Sequence, residues 1–228
     1  YDPAHAGYSG YAIEKIGSRQ GLYETIFDTT YYNNNVTGNM IEAYDPDIVL
    51  LQIGTNDLLD NQNAGITDRL EKLVDKLLDS IDSDSMLFVA SVPDIDVSVK
   101  HDWLWAYQSS GYSYENNPEE FTALVEQSVD NYNASVKELV EKKQAVGARI
   151  RFADINSVVD MKTGLEDGVH PNEAGYACMG KYWSEQVSAY LNGTTPTPTP
   201  ATTTEVTTAT EATTTTAIET TTTSTEAT

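Results

Sequence analysis

The sequence predicts an α/β fold, a parallel, doubly wound sheet with helices packed on both faces. Two observations carry that expectation across residues 1–192. Apolar runs of strand length recur and end in glycine, proline or a polar turn. Between them lie segments whose apolar residues repeat at helical spacing, and alternating strand and helix units close most simply into a parallel sheet.

The elements follow in order. DIVLLQIG, Asp47 to Gly54, is a continuous apolar run ending in glycine, as expected of a strand covered on both faces. GITDRLEKLVDKLLDSI repeats Leu and Ile at helical spacing and forms its return helix. MLFVASVP, Met86 to Pro93, is the second strand signal. The long amphipathic stretch from Pro118 to Lys143 is a helix with proline in its first turn, where the missing N–H costs nothing. ARIRFADI, Ala148 to Ile155, is a shorter third strand, and EAGYACMGKYWSEQVSAYL from Glu173 is the closing helix.

Composition limits what the chain can do. A formal net charge of −22 over 228 residues disfavours nucleic acid and anionic membrane surfaces as partners, because both need clustered Lys and Arg. No run reaches the roughly 20 apolar residues of a membrane span. The single cysteine, Cys178, cannot close an internal disulfide and reads as a buried small hydrophobe. From residue 193 the composition shifts to threonine, with Pro196, Pro198 and Pro200 alternating and no Lys, Arg or aromatic residue. Such a tract cannot bury a core, so 193–228 is expected to be a disordered linker of the kind that joins secreted modules. The first residue is Tyr and no signal peptide is present, so the chain reads as a fragment or processed piece.

In a doubly wound sheet the chemistry sits at the carboxyl ends of the strands. Two polar motifs fall there. GTND ends the first apolar run and places Asn56 and Asp57 at a strand-to-loop turn. DGVHPNE, residues 167–173, puts Asp167 three positions before His170, with Pro171 opening the last helix. Each alone is ordinary turn and cap chemistry. A histidine held by a carboxylate, however, is half of an acyl-transfer machine, since the carboxylate fixes the ring tautomer and stabilises the imidazolium. His101, among aromatic residues, and His5, near the start, have no such partner and read as structural or surface histidines.

Together and in this order, the motifs resemble those of the SGNH or GDSL hydrolases, three-layer α/β/α esterases with a flavodoxin-like sheet. GTND at Gly54–Asp57 matches the family's G-x-N-D block, DGVHP at Asp167–Pro171 its D-x-x-H-P block, and AGYSGY at Ala6–Tyr11 its glycine block, with Gly10 in place. The resemblance implies that His170 is the catalytic base and Asp167 its acid partner. Gly10 and Asn56 would supply an oxyanion hole, with neither metal nor organic cofactor. The family's Gly-Asp-Ser block, which carries the nucleophile, is absent from these residues. The chain is therefore expected to lack the first strand and helix of the fold and to be inactive by itself. Ser9, in GYSGY, does not satisfy G-x-S-x-G and is not assigned as nucleophile.

Within the family the sequence is most similar to carbohydrate esterase family 3, whose members deacetylate xylan. HDWLWAYQSSGYSYENNP, residues 101–118, gathers Trp103, Trp105, Tyr107, Tyr112 and Tyr114 after a strand's carboxyl end, as a sugar platform or as a cover for the core. The expected enzyme is a secreted acetylxylan esterase whose linker leads to a dockerin or binding module. The alternatives are a general secreted acyl-esterase or lipase, and a non-catalytic carbohydrate-binding module.

Overall fold

In a computed structural model, residues 6–27, 38–108 and 113–194 are described. His5, Tyr112 and the threonine-rich residues 195–228 lie outside them. The sheet is parallel, in the order β1 (Ile48–Leu51), β2 (Met86–Ala90), β3 (Ile150–Ala153), with Leu50 level with Phe88 and Phe88 level with Arg151. All three strands lie inside the expected runs. β2 is buried along its whole length, which is why its sequence is apolar at every position rather than at alternate ones.

Alternation sends Leu51, Leu87, Val89 and Ile150 to one face. There they meet α4 (Ile66–Ser80) through Leu70, Leu73, Val74 and Leu77, and α6 (Pro118–Ala145) through Val125, Val129, Tyr132 and Val136. Each of these side chains repeats at three- or four-residue spacing, and burying each contributes roughly 1.5–3 kcal/mol. On the opposite face α7 (Glu173–Leu191) lays Met179, Tyr182 and Trp183 over Ala90, Ala153 and Ile155. Phe88 meets Trp183 and Tyr190 edge-on at 6.3 and 6.1 Å. Helix, sheet, helix: the three layers are those of the expected architecture.

Two readings are corrected by the structure. Cys178 is exposed, not buried: α7 turns 179, 182 and 183 to the sheet, and 178 falls about 100° away from that stripe. Pro171 stands outside α7, whose N-cap is Asn172, its side chain accepting from the Gly175 amide at 3.0 Å. α5 (Val97–Lys100) runs into the aromatic stretch, which begins with single turns at His101–Trp103 and Trp105–Tyr107.

β1 and β3 are the two edges of the described sheet. Among the described residues no strand pairs with the outer edge of either, and on β1 Leu50, on the α7 side of the sheet, is 45% exposed. Two short helices, α1 (Leu22–Phe27) and α2 (Met40–Tyr44), pack at this end, their Leu22, Ile26, Met40 and Ile41 joining the core beneath α4.

Candidate active site

β1 leads through Gly54 into α3 (Thr55–Leu59), so Asn56 and Asp57 occupy the first turn of a short helix rather than a loop. Gly54 is required for two reasons. Its φ is +118°, and a Cβ there would lie 2.4 Å from the Tyr132 ring. The Tyr132 hydroxyl in turn donates to the Ile53 carbonyl at 2.7 Å, clamping the strand end.

Asn56 and Asp57 then diverge. Asp57 points into the protein and is fully buried, accepting from the Ile13 amide at 2.9 Å and from Arg69 at 3.1 and 3.2 Å. Burial raises its pKa, opposed by the Ile13 and Arg69 bonds. It is a strut tying the glycine loop to α3 and α4. Asn56 faces the other way, into a cleft of about 390 Å³ that it shares with Ser9, Gly10, Trp103 and His170.

The opposite wall is the loop 164–171. Leu165 and Pro171 bridge its ends, and the Asp96 amide donates to the Gly168 carbonyl at 2.8 Å. Gly168, at φ +84°, leaves no room for a Cβ, which would sit 2.9 Å from the Asp96 carbonyl oxygen. Asp96 is itself buried, capping α5 through the Ser98 amide and pairing with Lys162 at 2.9 Å. The loop is thus pinned to the segment that follows β2.

Within it, Asp167 Oδ1 accepts from the amides of Val169 and His170 at 3.1 and 2.8 Å, while Oδ2 faces His170 Nδ1 at 3.0 Å. Partial burial pushes the Asp167 carboxyl up, but these donors outweigh it and bring the pKa down to about 2. Asp167 is therefore ionised at neutral pH, which favours a proton on His170 Nδ1 and leaves Nε2 as the basic nitrogen. His170 is 55% exposed on its side chain and meets the Trp103 ring edge-on at 5.7 Å. Lys100 lies 3.8 Å over Trp103 and 3.9 Å from Asp167, linking the aromatic segment to the pair.

Because the folded pKa of Asp167 lies below the unfolded value of about 4, its stabilisation is present above about pH 4 and lost as pH falls through about 2. The melting temperature of the wild type should exceed that of Asp167→Asn at pH 5, with the gap closing toward pH 2. A gap independent of pH would refute the ionised pair.

Of the residues expected from the sequence, Gly10, Asn56 and His170 therefore line one cleft, and Asp167 holds His170 from behind. Ser9 lines it too, but no hydrogen bond joins it to His170. His101 stacks on Tyr114 at 4.2 Å, away from the cleft. Arg19, which had no motif to mark it, contacts both Gly10 and Asn56.

Residues 3–183 match the family described as GDSL-like lipase/acylhydrolase. The chain belongs to that family. A "Multidomain esterase" of Ruminococcus flavefaciens is 36% identical over 196 residues, 84% of this chain and 21% of the relative. A second curated relative, from Acetivibrio thermocellus, is 28% identical over 147 residues, 64% of this chain and 51% of that protein. The chain thus spans from a fifth to half of the length of these relatives. Among solved structures, a carbohydrate esterase family 3 protein from Talaromyces cellulolyticus superposes with a TM-score of 0.51 at 13% identity, covering 76% of this chain and 69% of that one. That likeness concerns the GDSL hydrolase fold, the three-layer arrangement described above.

Proposed function

We propose that this GDSL domain is the hydrolase part of a secreted serine esterase that removes acetyl groups from plant cell-wall polysaccharide such as xylan. One observation carries the reading: Asp167 holds His170 at 3.0 Å on one wall of a cleft whose other wall carries Gly10 and Asn56. That is a base with its orienting carboxylate, opposite two N–H donors. Among the described residues, neither the Gly10 amide nor the second N–H of Asn56 has a partner.

The nucleophile in this reading is a serine outside residues 1–228, since no Gly-Asp-Ser occurs within them. Its strand would pair with the open edge of β1 and bring the hydroxyl to the cleft. His170 Nε2 takes the serine proton as Oγ attacks the ester carbonyl, and Asp167 stabilises the imidazolium. Gly10 and Asn56 donate to the oxygen as it becomes negative. His170 then gives that proton to the departing sugar oxygen, which leaves as a hydroxyl, and water repeats the sequence to release acetate and free the serine. Family membership and this pair favour the enzyme over a non-catalytic binding module.

The sugar side of the reading rests on the rim. Trp103 and Trp105 are 39% and 69% exposed beside the cleft, an unusual outlay of aromatic surface that a sugar face would cover. The threonine-rich residues after 193 then serve as linker to a dockerin or binding module. The full-length protein should release acetate from acetylated xylan. It should also prefer acetyl to octanoyl esters by at least about tenfold in kcat/KM, as a polysaccharide deacetylase requires. A preference for long-chain esters, with no acetate from xylan, would replace this reading with a general acyl-esterase or lipase.

A further inference from the structure

From the bonds around Asn56 we infer that Arg19 is a positioning residue, which fixes the direction in which the Asn56 carboxamide points. The inference rests on the oxyanion role proposed for Asn56. Ile16 and Arg19 pair across a tight turn through Gly17 and Ser18, and the guanidinium reaches from it into the gap between the glycine loop and α3.

A carboxamide has two orientations that exchange its oxygen and nitrogen, and its neighbours decide between them. Here they agree. Arg19 Nη1, a donor with no accepting capacity, lies 3.2 Å from Asn56 Oδ1. The Tyr11 carbonyl, an acceptor with no donating capacity, takes Asn56 Nδ2 at 2.9 Å. Turning the amide over would set NH₂ against guanidinium and oxygen against oxygen. In the observed orientation one N–H is spent on Tyr11 and the other is left for the cleft.

Arg19 is well held for this task. Its Nε and Nη2 grip Asp60 side-on, at the C-terminal cap of α3, and Nη1 also donates to the Gly10 carbonyl at 2.7 Å. One planar group therefore joins the glycine loop to both ends of the helix that carries Asn56. A partly exposed Arg–Asp pair alone would contribute little to stability. The contacts to Gly10 and Asn56 give the fork its use, and lysine, a single point donor, cannot make all of them at once.

The test is a double-mutant cycle in the full-length esterase, reading kcat and KM on a soluble acetyl ester. Arg19→Ala should lower kcat about 10- to 100-fold with KM changed less than about threefold, as expected for a group acting through a transition-state donor. In an Asn56→Ala background the same substitution should lower kcat by less than about twofold, because the amide it orients is gone. Equal losses in both backgrounds would mark Arg19 as merely structural and overturn the inference, as would an unchanged kcat in the wild-type background. Arg19→Lys, which keeps a charge beside Asp60, should fold normally and lose most of the same kcat. Wild-type turnover in that variant would also overturn the inference. An Asn56→Ala enzyme with unchanged kcat would remove the oxyanion reading itself, and this inference with it.

Discussion

Replacing His170 with alanine in the full-length protein should lower ester turnover by at least about 10⁴-fold while leaving the fold intact. The size follows from the role. Without a base at the cleft the serine hydroxyl stays protonated and the leaving alkoxide has no acid, and losing one member of such a set costs nearly as much as losing all. The small structural cost follows from position, since His170 is 55% exposed and, among the described residues, its ring hydrogen-bonds to Asp167 alone. Losing one such exposed pair changes stability by about 1 kcal/mol or less. Asp167→Ala and Asn56→Ala should also lower turnover, Asn56→Ala by about 100- to 1,000-fold. A folded His170→Ala variant with near wild-type kcat on a soluble acetyl ester would end the assignment.

The Asp167–His170 pair was legible in the sequence because its geometry is local. Three residues of a tight loop, with glycine between them, bring the carboxylate under both amides and the ring. β2, α6 and α7 were legible because each is long or continuous enough for its pattern to outrun noise. α3 was not, since five residues are too few for a helical period, and so Asn56 and Asp57 read as a turn. Their opposite fates, one lining the cleft and one buried as a strut, depend on Ile13, Tyr11 and Arg69, which no local pattern connects to them. Arg19 was invisible for the same reason: its partners Asn56 and Asp60 are 37 and 41 residues away. Cys178 was misread because residue type predicts average burial, whereas the stripe of α7 that meets the sheet is set by Met179, Tyr182 and Trp183.

The second large effect concerns the serine. Residues 1–228 alone should show no stoichiometric labelling by a fluorophosphonate probe, whereas the longer protein carrying a Gly-Asp-Ser segment should label at that serine. Probe acylation needs a hydroxyl within reach of His170 Nε2, and Ser9, though it lines the cleft, makes no bond to the ring. Stability should follow the same division. Among the described residues β1 has one unpartnered edge, and it turns Leu50 outward at 45% exposure, so it presents both unpaired backbone groups and bare apolar surface. A strand laid along β1 would satisfy those groups, and a helix behind it would cover Leu50. The longer protein should therefore melt cooperatively, and residues 1–228 alone should melt at lower temperature with a broadened transition. Stoichiometric labelling of residues 1–228 at Ser9, with turnover that vanishes in His170→Ala, would place the nucleophile in the glycine loop instead. The open edge of β1 would then have no part in catalysis.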